Sequence, residues 1–162
     1  MIHAEIHVRK DKVQLYKLSL FKLISAAFRF AGQNLGQSGT TEVFTAPNTV
    51  IVDRINSWYN EHQFAAQSDI NTFTRLYNGT NAIGHFTVMV SERNTQVGCA
   101  ISNYVSGRFN YSYLVCNFAS TNKINSNIYR SGATGSGCTL GRDPTYTGLY
   151  RTNEPINPNS FA

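Results

Sequence analysis

Residues 96–119 read QVGCAISNYVSGRFNYSYLVCNFA, two runs rich in β-branched and aromatic residues on either side of Ser106-Gly107-Arg108-Phe109. The runs Gln96–Val105 and Tyr113–Ala119 predict two strands, and the segment between them supplies turn chemistry. If Gly107 and Arg108 centre the hairpin, Val97 faces Phe118, Cys99 faces Cys116 and Ile101 faces Leu114. Opposed residues of an antiparallel pair have Cα atoms about 4.5–5.5 Å apart, within reach of a disulfide. The register favours a Cys99–Cys116 bridge over two buried free thiols. Closing that loop adds about 3 kcal/mol in the chain-entropy view, and a persistent bridge implies an oxidising compartment.

Upstream, Asn81–Val90 predicts a short helix, with Ala82, Phe86, Met89 and Val90 apolar and His85 beside Gly84 near its start. A lone His there is more often a hydrogen-bonded structural residue than a ligand. Pro47-Asn48 marks another helix start. From it Ile51, Ile55, Trp58, Tyr59 and His62 recur at helical spacing on one face. Glu61 borders that face, as a solvated helix acid or as one aimed into a cleft. Phe28–Leu35 reads as a short strand leaving into a loop bracketed by Gly32, Gly36 and Gly39. Gly132-Ala133-Thr134-Gly135-Ser136-Gly137 reads as a flexible loop, because its spacing is not the dinucleotide fingerprint.

At 162 residues the chain suits one domain with a real core. Charged residues are only 14%, and 46 residues are Asn, Ser or Thr, an uncharged polar character common outside the cell. No run approaches the ~20 apolar residues of a membrane span. Residues 1–30 carry six Lys or Arg against two Asp or Glu, and the rest of the chain eight against seven. The body is thus nearly neutral, which argues against nucleic acid as a partner. Leu18–Phe28 is the only apolar stretch near the start, but Lys22 interrupts it, so it reads as a helix and not as a secretory signal. We expect that helix to pack on the domain; a basic amphipathic membrane helix is the alternative. His3 and His7 stand four apart, but Glu5 is one place late for the zinc-protease pattern, so the match is coincidental.

Five stretches carry a family resemblance. Phe30-Ala31-Gly32-Gln33-Asn34-Leu35, Trp58-Tyr59-Asn60-Glu61, Gly84-His85-Phe86-Thr87-Val88-Met89-Val90, Val97-Gly98-Cys99-Ala100 and Tyr113-Leu114-Val115-Cys116-Asn117-Phe118 stand in the order of the CAP superfamily signatures. The wording is closest to the insect antigen-five or venom-allergen-like branch. The resemblance covers about residues 28–131 and implies an α+β fold, a three-layer α-β-α sandwich without its usual first helix. It divides the chain into a divergent basic segment at 1–28, a CAP domain at 29–131, incomplete on its N-terminal side, and a loop-rich tail at 132–162. It also implies secretion and a Cys99–Cys116 pair.

The family's cleft holds two His and two Glu able to bind a divalent metal. The resemblance maps His85 and Glu61 onto two of these places and Gln33 onto a third, where many members carry Glu. The remaining His belongs to the family's first helix, onto which neither His3 nor His7 maps. Val88 and Ser91 replace the Gln and Trp common after the family's His. Truncation or mis-splicing accounts most simply for residues 1–28; a divergent but functional start is the alternative. Insect relatives carry a further Cys about where Leu149-Tyr150 stands, which leaves Cys138 without a partner in this chain.

These features imply a secreted, monomeric, non-enzymatic protein of the antigen-five type. It would act by recognition of an extracellular protein or by binding a small apolar ligand such as a sterol or lipid. No cofactor is expected, and any divalent metal at His85 and Glu61 would bind weakly. The alternatives are a hydrolase with His85 as base and Glu61 as its orienter, and a truncated product without activity. No Ser stands in a Gly-x-Ser-x-Gly nucleophile elbow. Two sequons, at Asn78 and Asn110, offer glycosylation acceptors if the chain is secreted.

Overall fold

Strand β5 (Phe109–Phe118) is the centre of a three-stranded antiparallel sheet, flanked by β1 (Gly32–Thr40) and β4 (Val97–Ser106). The protein is seen in a computed structural model that describes residues 28–161. Residues 1–27, which include His3, His7 and most of the helix expected over 18–28, lie outside the described residues.

The β4–β5 register pairs Val97 with Phe118, Cys99 with Cys116 and Ile101 with Leu114, as expected. Cys99 and Cys116 form a disulfide with their Cα atoms 4.1 Å apart. Gly107, at φ +58°, turns the chain in two residues. Strand β5 therefore begins at Phe109, four residues before the expected Tyr113. Its polar start, Asn110 to Ser112, stays in the ladder because it has partners on both sides: Thr40 to Ser38 on β1, and Val105 to Asn103 on β4.

Helix α1 (Pro47–Asn60) starts on Pro47, whose fixed φ suits a first turn. It buries Val50, Ile51 and Trp58. Past Asn60 the chain tightens into a single 3-10 turn, Glu61–Phe64. That turn breaks the expected stripe, and Tyr59 and His62 end up exposed. Helix α3 (Gly84–Met89) is shorter than the expected 81–90. Asn81–Ala82 is instead strand β3, paired with β2 (Tyr77–Asn78). Ile51, Trp58 and Val88 pack on Leu114, Cys116 and Phe118, so α1 and α3 cover one face of the sheet. Burial alternates along β5 accordingly, with Ser112, Leu114, Cys116 and Phe118 inward. A second cluster joins Ile70, Phe73, Ile83, Phe86 and Ile128.

The three glycines expected to bracket a loop lie within β1, where each admits a neighbour that a side chain would crowd, at Gly39 the Tyr111 ring 2.7 Å from a Cβ. A Cβ on Gly32 would sit 2.6 Å from the Ser120 carbonyl oxygen, and one on Gly36 would sit 2.8 Å from Arg54 Cδ and 3.2 Å from the Trp58 ring. The tail does not stay apart from the body. Asn159 Oδ1 accepts from Arg29 N at 2.7 Å, the Pro158 carbonyl accepts from Ser120 Oγ at 3.0 Å, and the buried Arg93 donates to the Ser160 carbonyl. The Phe161 ring lies beneath the Arg93 guanidinium, 4.8 Å from centroid to Cζ, and edge-on to Phe30.

Helix α2 (Gln67–Asn71) is held by Asp69, whose side chain is 3% exposed. Its carboxylate accepts from Ala66 N at 2.9 Å and from Arg75 at 2.9 and 3.2 Å. Burial alone would raise this carboxyl, but the Arg75 hydrogen bond, the Ala66 N–H and the Arg75 charge together hold it below its ordinary value.

Three measurements check this packing. Non-reducing peptide mapping should recover a Cys99–Cys116 peptide pair and one alkylatable thiol at Cys138. Replacing both bridge cysteines by Ala, which reopens a separation of 17 residues, should cost about 3 kcal/mol in chemical denaturation. Because the Asp69 carboxyl is depressed in the folded state, its stabilisation is complete above the unfolded carboxylate pKa. It is lost as pH falls below about 4 toward the folded value. Urea midpoints taken from pH 6 to pH 3 should fall less steeply for Asp69→Asn than for the parent; parallel slopes would refute the assignment.

Candidate functional site

His85 is the point at which β1, α1 and α3 meet. It is the second residue of α3, whose N-cap is Ile83, a side chain with nothing to offer the exposed N–H groups of a first turn. Glu61, just past the end of α1, makes good that deficit from outside the helix. Its Oε2 accepts from Phe86 N at 3.0 Å, and its Oε1 accepts from His85 Nδ1 at 2.6 Å. An ionised carboxylate only accepts, so Nδ1 carries the hydrogen and Nε2 is the ring nitrogen left available. The Trp58 ring stacks on His85 at 5.9 Å between centroids, 15° from parallel.

Behind the ring, Asn34 of β1 donates from Nδ2 to the His85 carbonyl at 3.0 Å and is 1% exposed. Asn122 donates to the Gly84 carbonyl at 3.0 Å and to Thr87 Oγ1 at 2.7 Å. The Thr87 hydroxyl donates in turn to the Ile83 carbonyl at 2.8 Å. The first turn of α3 is thus fixed on the Glu61 side and on the Asn122 side.

The structure brings His85 and Glu61 together and sets Gln33 apart from them. Gln33 alternates with Asn34 along β1, which turns it to the opposite face of the sheet, where it donates to Asn117 Oδ1 at 2.7 Å. His62 lies on the 3-10 turn, exposed, with Nδ1 bonded to the Tyr59 carbonyl at 2.9 Å. Asn34 and Asn122 were not among the residues singled out in the sequence. Strand alternation within Gly32-Gln33-Asn34 marks Asn34; Asn122 has no local signal. Among the described residues, no three His, Cys, Asp or Glu side chains converge. Cys138 is a half-buried free thiol. It lies near Tyr150, whose phenol is pushed up by burial and further by Cys138.

Chemically, the pair offers one half-exposed imidazole nitrogen held in a fixed orientation, with both carboxylate oxygens already accepting from protein donors. Its first role is to join α1 to α3. Glu61→Ala leaves the Phe86 N–H and the His85 Nδ1–H without this acceptor, and should cost about 1–3 kcal/mol in chemical denaturation. Glu61→Gln keeps one acceptor oxygen and should fall between Ala and the parent. Equal stability of all three chains would refute the role.

Residues 21–118 match the CAP family, described as the cysteine-rich secretory protein family. Venom allergen-1 of Aedes aegypti is 37% identical over 138 residues, covering 83% of this chain and 52% of that protein. Venom allergen-1 of Aedes albopictus is 35% identical, with coverage of 83% and 52%. The chain therefore spans about half the length of these relatives. Among solved structures, BmVAL-1 superposes with a TM-score of 0.61 at 23% identity, over 76% of this chain and 62% of its own. NaASP2, solved with Zn2+, gives 0.58 at 22% identity, over 74% and 59%. At such identities these two structures speak to the fold alone. With its disulfide-bonded hairpin and the helices packed on it, this chain belongs to the CAP family.

Proposed function

We propose that the chain is a secreted binding protein of the venom-allergen or antigen-five type, acting by surface recognition or through a small apolar ligand, without catalysis of its own. The observation that carries this reading is the match of residues 21–118 to the CAP family beside the Aedes venom allergens. Glu61 accepts from the His85 ring, as the orienter of a base would, and from the Phe86 N–H. A base needs a nucleophile within hydrogen-bond reach. The nearby Thr87 hydroxyl instead donates to the Ile83 carbonyl and is 0% exposed. Secretion is supported by the Cys99–Cys116 bridge, which persists in oxidising compartments. No helix among the described residues is long and apolar enough to cross a membrane.

The same donor set does not suit tight zinc binding. Such a site takes three or four protein ligands at about 2.0–2.3 Å. His85 offers Nε2, and the Glu61 oxygens are already engaged. Zinc calorimetry should therefore show no stoichiometric sub-micromolar site; one that vanishes in His85→Ala would overturn this.

Purified protein should turn over neither casein nor aryl esters. Turnover lost in His85→Ala would instead favour a hydrolase. A fluorescent sterol or fatty-acid titration decides between the two modes of binding: saturation supports an apolar ligand, and a flat response leaves surface recognition.

A further inference from the structure

We propose that Asn78 is a site of N-linked glycosylation and that Asn110 is not. The proposal rests on the secreted reading above, since only a chain in the secretory pathway meets the transferase.

Both residues open an Asn-x-Ser/Thr sequon, Asn78-Gly79-Thr80 and Asn110-Tyr111-Ser112. The fold separates them. Asn78 ends β2 and pairs with Asn81, so Gly79-Thr80 is a two-residue hairpin turn. Gly79 has φ +62°, which suits the first central position of a II′ turn. Gly79 and Thr80 are exposed, and a Cβ built on Gly79 would meet nothing within 4 Å. The acceptor thus adjoins an exposed two-residue turn with open space beside Gly79.

Asn110 lies on β5, between Thr40 of β1 and Val105 of β4. Its Nδ2 donates to the Glu42 carbonyl at 2.6 Å, a bond of the kind Asn78 makes; what differs is the third residue of the sequon, Ser112 being 3% exposed where Thr80 is exposed. A sugar there would have to emerge from the central strand of the sheet.

The reaction needs a lipid-pyrophosphate-linked oligosaccharide as donor. Asn78 Nδ2 attacks C1 of the first sugar, forming the N–C1 bond. The C1–O bond breaks, the lipid pyrophosphate leaves with the electron pair, and Nδ2 gives up one of its two protons. The remaining N–H suffices for the 2.8 Å bond that Nδ2 makes to the Phe64 carbonyl. Phe64, Leu76 and Tyr77 are 42%, 53% and 59% exposed and flank the acceptor through that bond or through the chain. A glycan rooted at Asn78 covers this surface and withholds it from a protein partner.

The test is the full chain expressed in insect cells behind a secretion leader, followed by peptide-N-glycosidase treatment and mass spectrometry. A single glycan is expected, with the deamidation mark of its removal at residue 78. The mass shift should be lost in Asn78→Gln and in Thr80→Ala, and kept in Asn110→Gln. Thr80→Ala leaves the Asn78–Phe64 bond in place, so it decides the matter should Asn78→Gln misfold. An apolar dye should also fluoresce more with the Thr80→Ala chain than with the glycosylated parent. Leader-driven secretion without a glycan overturns the proposal, as does a glycan recovered at Asn110; equal dye fluorescence overturns the shielding. A parallel expression without the leader bears on the secreted reading alone, so the two failures stay apart.

Discussion

The carboxylate of Glu61 sets the spacing of everything around the candidate site. It stands where α1 has just ended, and it supplies an acceptor to a helix that cannot cap itself. A six-residue helix leaves most of its N–H and C=O groups without intrahelical partners. Such an element depends on its surroundings for hydrogen bonds and packing. Glu61 and Asn122 provide the former; Trp58, through its stacking on His85, and the buried side chains Phe86 and Val88 provide the latter. The orientation of the imidazole is a by-product of how α3 is kept in place.

The low charge content acquires a meaning inside the molecule. At the sequence level the abundance of Asn, Ser and Thr reads as an uncharged surface. Several of these residues are instead buried ties between segments that share no ladder. Asn34 links β1 to α3. Asn94 accepts from Ser120 N at 2.8 Å while its amide donates to the Val88 carbonyl. An Asn side chain offers a donor and an acceptor with no ionic desolvation cost, so it can cross-link irregular backbone where a buried carboxylate would need a cationic partner. Asp69 is the contrasting case, with Arg75 beside it. Arg93 plays the corresponding part for the tail, reaching the Asn127 carbonyl and side chain as well as Ser160.

The parts of the fold legible in the sequence are those governed by local periodicity. The β4–β5 register, though not the start of β5, could be read to the residue because alternation and turn chemistry agree and two cysteines coincide in it. The start of α1 at Pro47 was legible for a similar reason. Strand β1 was not, because glycine has two uses that look alike in a sequence. Gly36 would ordinarily mark flexibility; here it marks the place where Arg54 and Trp58 of α1 press against the strand. Residues 81–82 were misread because an apolar pattern too short to show its period fits a helix and a hairpin equally well. The return of residues 158–161 to Arg29, Arg93 and Ser120 is a long-range contact that no local pattern encodes.

The site divides along the same line. His85 and Glu61 stand out because each lies in a short motif, and the structure places them in direct contact. Gln33 and Asn34 are adjacent, and a strand sends adjacent side chains to opposite faces. Adjacency in a motif therefore cannot say which of the two faces the helices; that follows only from the register, in which Asn34 pairs with the buried Cys116 and Gln33 with Asn117. The helix-facing place beside His85 thus belongs to a neutral amide that is already donating to a backbone carbonyl. With Asn34 so occupied and both Glu61 oxygens engaged, the open chemistry of the cluster narrows to the Nε2 of one imidazole. The cluster thus presents one imidazole, its side chain 39% exposed, with Nδ1 held by Glu61 and its ring backed by Trp58.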